Sequence, residues 1–484
     1  MRPMKNARTR RSRHGGQRRS LDIRRLPDRK SRLVAGSCKG AGNMPVSKKF
    51  GRVAVTLAFG VATGAASAAQ FDYTLYAGAE HSDNINLSPN DPISQNVLIP
   101  GLNFTFLQQG STVQANVAGN LEYRDYLGNT FGNQLFTQLS GQVNWTVLPQ
   151  RLDFTVEDYA AVQPISTLTP NTPGNQQQTN VVTLGPTLHF NLGDTVRGQA
   201  ELRYLNSTAQ RTKQFDSSRE QGALRIFKDL GPVDQLSANF ESQHVEFKDS
   251  DSGPNYNRNQ LFGRYVSKLA HFDIDTMLGW SQLEFDRGHS VSTPLAQVTV
   301  NWRPLTRSTF TLSASRQYSD AAQDMTIQTG QNTPVALADI NPTPGNGIAT
   351  GNAVVNSQVY LERRLEAIYM FTSDRMTLRL APLYRKLSYP NAQSFDETGY
   401  GGSAFLDYRL HPQLILSAFA NQETLKYDFL DRRDKTLSYG LSLVGNRTPH
   451  WGWRLSLTHQ QQHSTVAVQR YHENQIYFGV VFKR

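Results

Sequence analysis

From about Gln70 onward, apolar and polar side chains alternate in stretches of roughly 9–15 residues. Side chains on a strand point alternately to its two faces, so each stretch predicts a strand with one greasy and one wet side. Val113, Ala115, Val117, Gly119, Leu121 and Tyr123 form one such face, opposed by Gln114, Asn116, Asn120, Glu122 and Arg124. Leu135, Leu139, Val143, Trp145 and Val147 oppose Gln134, Gln138, Gln142 and Asn144, and Val196, Ala200, Leu202 and Tyr204 oppose Arg197, Gln199, Glu201 and Arg203. The same rhythm runs through Phe272–Ile274–Leu278–Trp280 and Ala296–Val298–Val300–Trp302. It continues through Val359–Leu361–Leu365–Ala367–Tyr369 and Met376–Leu378–Leu380–Tyr384, and ends with Ile476–Phe478–Val480–Phe482. Helical stripes at i, i+3, i+4 do not fit these stretches.

The connections alternate too. Tight turns such as Leu148-Pro149-Gln150, Gly231-Pro232-Val233-Asp234 and His411-Pro412-Gln413 carry the residues that reverse a chain. Between them lie longer polar loops at 84–94, 163–180, 206–217, 249–257, 318–356, 390–396 and 428–435. Short turns at one end and long loops at the other characterise outer-membrane barrels. The prediction is an all-β, up-and-down antiparallel transmembrane barrel of about 20 strands, between 18 and 22. The segments at 217–229 and 413–421 carry the weakest alternation. An even count puts both ends of the barrel chain on the periplasmic side. Loop 318–356 is long enough for a lid, a plug or a disordered tip, the last being the plain expectation.

Charge changes the picture only at the N-terminus. Seventeen of the 50 Lys and Arg precede Ala69, leaving 33 basic against 37 acidic residues beyond it. The net charge of +11 therefore describes the leader and not the working domain. The arginine-rich stretch 1–43 has no aromatic interleaving, so it reads as an upstream extension from a mis-called start and not as a nucleic-acid site. Met44, Lys48-Lys49, the apolar run 53–61 and Ala66-Ser67-Ala68 together read as a secretory signal peptide over 44–68, with the barrel at 69–484. The single cysteine, Cys38, lies upstream, so the barrel chain has no disulfide and no thiolate site.

No H-E-x-x-H, G-x-S-x-G or phosphate-binding glycine loop is present, and His459 and His463 share no strand-compatible metal geometry. The reading is a protein that is not an enzyme and needs no metal or cofactor. The wet face carries mixed charges: Glu122, Arg124, Arg197, Glu201, Arg203, Glu362, Arg364, Glu366, Arg379, Arg385, Asp407 and Arg409. Cross-strand charge ladders that stiffen the wall account for most of this pattern. The functional alternative is a hydrated conduit or docking surface whose Gln, Asn and Arg bond a polar solute.

The opening strand Phe71-Asp72-Tyr73-Thr74-Leu75, the loop Asp83-Asn84-Ile85-Asn86-Leu87-Ser88-Pro89 and Pro100-Gly101 in the second strand resemble the exosortase/PEP-CTERM-associated barrels of exopolysaccharide loci (EpsL-like proteins). The motif spans about thirty residues. The resemblance implies an outer-membrane porin-like protein serving export or biosynthesis of a polysaccharide. The alternatives are a general diffusion porin, or a non-conducting structural or docking barrel. Expected partners are outer-membrane lipid, a polysaccharide or small polar solute, the barrel-assembly machinery and periplasmic export proteins, with no nucleic acid. One departure from many such barrels is that Phe482 is followed by Lys483 and Arg484. Asp83, Asn84 and Asn86 suit plain loop capping, although calcium could use the same oxygens.

Overall fold

The computed structural model describes residues 69–249, 252–329 and 357–484. The expected extension at 1–43 and signal peptide at 44–68 lie outside the described residues. The strands are β1 Gln70–Ser82, β2 Gln95–Gln109, β3 Val113–Tyr126, β4 Gln134–Leu148, β5 Leu152–Pro164, β6 Gln176–Asn191, β7 Val196–Ala209, β8 Ser217–Asp229, β9 Asp234–Phe247 and β10 Tyr256–Lys268. They continue as β11 Phe272–Phe285, β12 Ser290–Leu305, β13 Ser308–Ser319, β14 Tyr360–Thr372, β15 Met376–Ser388, β16 Glu397–His411, β17 Leu414–Tyr427, β18 Arg432–Asn446, β19 Trp451–Ser464 and β20 Tyr471–Lys483. Among the described residues one α-helix, α1, spans Ala321–Thr329 after β13. The two weakly alternating segments are strands β8 and β17.

Each strand pairs antiparallel with its sequence neighbours, and β1 pairs with β20, so the sheet of 20 strands closes on itself. Tyr73 and Arg484 exchange backbone hydrogen bonds of 2.9 Å, which puts the start of β1 and the end of β20 together at the turn end. Closure leaves no sheet edge, the condition for a sheet to stand in hydrocarbon.

The two faces sort as the alternation requires. Leu135, Leu202, Leu261 and Leu278 are all about 60% exposed on the outside, where lipid would cover them. Asn103, Asn120, Glu122, Gln243 and Arg258 are buried on the inside. Outward aromatics gather toward the strand ends: Trp302 stacks on Phe310 at 5.5 Å, Phe310 meets Tyr369 at 4.6 Å, and Trp451 meets Phe482 at 5.1 Å. Such girdles sit at the two bilayer interfaces.

Two local features follow from single residues. A Cβ on Gly101 would lie 2.1 Å from the Tyr76 ring, so the glycine lets that ring lie flat against the inner wall. Tyr76 there donates to Glu122 at 3.1 Å and accepts from Asn120 at 2.9 Å. Its neighbour Pro100 has no N–H to give, and the β2–β3 register skips from Leu98↔Asp125 to Gly101↔Glu122. The second feature is a notch: β12–β13 pairing starts only at Ala296↔Arg316, although both strands run further toward the loop end. Arg316 fills the notch by donating to Thr293 Oγ1 at 2.8 and 3.1 Å.

Candidate functional site

The lumen differs at its two ends. At the loop end, four connections fold inward and pack. The β1–β2 loop buries Ile85 in a cluster with Tyr76, Val97, Ile99, Tyr126, Tyr477 and Val481. Asn84 bonds Ser88 O and His472 O through its amide nitrogen and accepts from Ser88 N through its oxygen. Asn86 accepts from Ile93 N, and Asp83 accepts from the backbone and side chain of Asn474. The oxygens that calcium would need are thus taken by N–H groups, which is loop capping.

The β5–β6 loop crosses to the far wall. Tyr427 of β17 donates to Thr167 O at 3.0 Å, and Arg432 of β18 donates to Leu168 O at 2.7 Å. Arg432 is held by Asp434, which also accepts from Ser464 at 2.6 Å. The β7–β8 connection contributes Phe215, which is buried.

Helix α1 is the fourth element, and it corrects the expectation of a disordered tip for the start of loop 318–356; residues 330–356 lie outside the described set. Tyr318 and Ser319 belong to β13. Asp320 then acts as the helix cap: its Oδ1 accepts from Ala322 N at 3.0 Å and Gln323 N at 3.2 Å. Its Oδ2 accepts from Arg219 of β8 at 2.7 Å and from the Tyr256 hydroxyl of β10 at 2.9 Å. One carboxylate therefore starts the helix and ties it to two wall strands. Burial alone would raise the Asp320 pKa; the Arg219 and Arg258 charges and the hydrogen bonds outweigh that and hold it at about 2. Asp324, one turn on, accepts from Ser319 and Tyr360 at 2.5 Å each. Burial dominates there and raises its pKa. Arg258 also bonds Gln323 and Tyr318 O. The helix lays Ala321, Ala322 and Met325 on Ala161, Val181, Ala209 and Phe215 of the β5–β8 wall, away from its own strand.

At the turn end the inward side chains stay partly exposed, and charges pair across adjacent strands. Arg225 bridges Glu201 at 3.2 Å and Glu241 at 2.8 Å, Arg264 bonds Asp275, and Arg303 bonds Asp273 at 2.6 Å. All twelve charged residues singled out in the sequence lie on inward positions. Glu122 pairs with Arg124 at 2.7 Å, Arg364 with Glu366 at 2.8 Å, and Arg385 with Glu397 at 3.3 Å. Arg197 pairs with Asp229 at 2.9 Å. Arg203 binds Thr187 Oγ1 and Pro186 O, and Asp407 accepts from Ser417. Glu362 is buried near Asp324 and Arg385. Arg379 and Arg409 have no hydrogen bond or ion pair among the described residues. Three of the twelve, Arg197, Glu201 and Arg385, thus pair with a charge on a neighbouring strand, whereas Glu122–Arg124 and Arg364–Glu366 pair along a single strand. The residues that hold α1 at the loop end, Arg219, Tyr256, Asp320, Asp324 and Tyr360, were missed. Asp320-x-x-x-Asp324 beside a polar loop reads as solvated charge until the fold brings β8, β10 and β14 around it.

Residues 353–483 match the family model for the surface lipoprotein assembly modifier, a region that holds β14 to β20. Among curated proteins, no match is found. Among solved structures, the FrpB iron transporter of Neisseria meningitidis is similar at 10% identity and a TM-score of 0.42, over 85% of this chain and 81% of that one. OccK2 (OpdF) of Pseudomonas aeruginosa is similar at 11% identity and a TM-score of 0.36, over 86% of this chain and 98% of that one. The ferric enterobactin receptor PfeA of Pseudomonas aeruginosa gives 9% and 0.43, over 85% of this chain and 80% of that one. The closed sheet and its apolar outer wall make this chain an outer-membrane β-barrel.

Proposed function

We propose that the protein is a non-enzymatic, normally closed outer-membrane conduit for a polar chain or solute, in keeping with the exopolysaccharide role that the opening motif implies. The observation that carries this reading is helix α1, tied by Asp320 to β8 and β10 at the mouth of a lumen whose turn end is only partly filled. A barrel built only to dock partners has no need of a charged tether on a loop helix, whereas a conduit that must stay shut does. The strands could surround a channel if the helix moves, since barrels of 16–18 strands already leave one.

The test is single-channel conductance of the refolded protein in planar bilayers, as wild type and as Asp320→Ala, with and without oligosaccharides. The reading expects rare openings in wild type, frequent ones in the variant, and block by sugars. Large steps indifferent to sugars would make it a general diffusion porin. Silence from both folded proteins would leave a structural barrel. The match of β14 to β20 favours a second reading, in which this wall handles a surface lipoprotein. Co-purification of a lipoprotein with the barrel, lost on substitutions in the β14 to β20 wall, would support it.

A further inference from the structure

Three inward rows at the turn end of β15 to β19 form a patch that the wall ladders do not use. In the first row, register places Arg379, Phe405, Phe419 and Gly440 side by side on four neighbouring strands. A Cβ on Gly440 would lie 2.6 Å from the Phe419 ring, so that ring lies flat over the glycine and shows its face to the lumen. Next toward the turns, Asp407, Ser417, Ser442 and Ser456 line up. Ser456 donates to Ser442 at 3.0 Å, and Ser417 donates to Asp407. The third row has Arg409 at one end and Arg454 at the other.

Three arginines thus share the patch with one aspartate, and that aspartate already holds a serine. Arg379 and Arg409 carry no bond among the described residues, whereas Arg197, Arg225, Arg264 and Arg303 at the same end of the opposite wall are each paired. A wall that neutralises its cations elsewhere leaves them available here. Guanidinium groups bind carboxylates in a two-pronged fashion. Serine hydroxyls exchange hydrogen bonds with other hydroxyls. A flat aromatic face attracts the slightly positive C–H face of a ring.

We propose that this patch binds a carbohydrate chain bearing carboxylates, of uronic-acid type, as it enters from the turn end. Carboxylates fall on Arg379 and Arg409, one sugar ring lies on Phe419, and hydroxyls meet the serine row. The proposal rests on the conduit reading and gives its cargo a chemical class.

The test is fluorescence anisotropy of labelled oligogalacturonate with the full barrel in detergent, against a labelled neutral maltooligosaccharide of equal length. The expected result is salt-sensitive binding of the acidic chain, weakened about tenfold or more in an Arg379→Gln/Arg409→Gln variant that still shows the folded-barrel shift on a gel. Phe419→Leu should weaken both sugars. Equal binding of acidic and neutral chains, no binding, or full binding by the double variant would overturn the proposal. So would displacement by polyphosphate together with indifference to Phe419→Leu, since charge alone would then account for it. Failure here is distinct from failure of the conduit. A silent barrel that binds the acidic chain keeps the patch and loses the channel; a conducting barrel that ignores it does the reverse.

Discussion

Asp320 and Asp229 each hold an arginine inside the same barrel, and both contacts involve β8. Arg219–Asp320, at the loop end, spans 2.7 Å with side chains 2% and 4% exposed; Arg197–Asp229, at the turn end, spans 2.9 Å with side chains 53% and 40% exposed. The chemistry is the same and the surroundings differ. At the loop end, inward-folded connections exclude water, so a lost partner strands a charge. At the turn end the lumen is wet, and water replaces either partner. The comparison divides the molecule into a mouth that is packed like a small core and a vestibule that is solvated wall.

The sharpest way to break this division is to remove one partner at each end. Asp320→Ala deletes the cap of α1 and leaves Arg219 buried without its carboxylate, costing on the order of 3–5 kcal/mol of helix docking. Hydrogen exchange at the amides of Ala322 and Gln323 should then approach that of an open loop. Asp229→Ala should leave exchange and melting unchanged. Equal responses at the two ends would remove the distinction between packed mouth and wet vestibule.

The outer wall supplies the next largest effect. Val117 sits outward between Phe106 of β2 and Gly141 of β4, and Leu378 sits outward on β15. Arginine at either position should cost about 2–4 kcal/mol near the bilayer midplane, read by urea titration of folding into vesicles. Arginine at Gln142, which is inward and exposed, should cost little. Equal costs at all three positions would contradict the assignment of lipid and lumen faces.

The sequence made the vestibule and wall legible, and the mouth illegible, for a physical reason. Alternation records which face of a strand meets lipid, so Leu202, Trp280 and Leu378 disclosed their side without any contact being known. Turn residues disclosed the connections, and Asp83, Asn84 and Asn86 disclosed a cap because their bonds are local apart from Asn474 and His472. The mouth depends on contacts between remote positions, Arg219 with Asp320 and Tyr427 with Thr167. No period or motif announces such pairs. The polar character of 320–329 even argued the wrong way, since Asp320 and Asp324 look solvated until burial is known. The same limit hid the patch beside Arg379: Phe405 and Phe419 lie on inward positions that alternation assigns to polar residues, and only register joins them.

Acidity should act on the mouth in two opposite steps, which the vestibule cannot imitate. Asp320 has its pKa lowered to about 2, so its contribution to docking is complete above the ordinary carboxylate range and is lost as pH falls from about 4 through about 2. The loss amounts to about 2 kcal/mol. Asp324 has its pKa raised, so the docked helix prefers its neutral form. That contribution is full below the ordinary range and is lost as pH rises through the raised value. Docking is therefore tightest near pH 4 and weaker on either side, toward neutrality and toward pH 2. Opening frequency in planar bilayers should pass through a minimum at about pH 4. Asp324→Asn should shrink the neutral-side rise and keep the acid-side one. A monotonic profile in wild type would show that these two carboxylates do not hold the helix, and that the mouth is closed by its apolar packing on Ala161, Val181 and Phe215 alone.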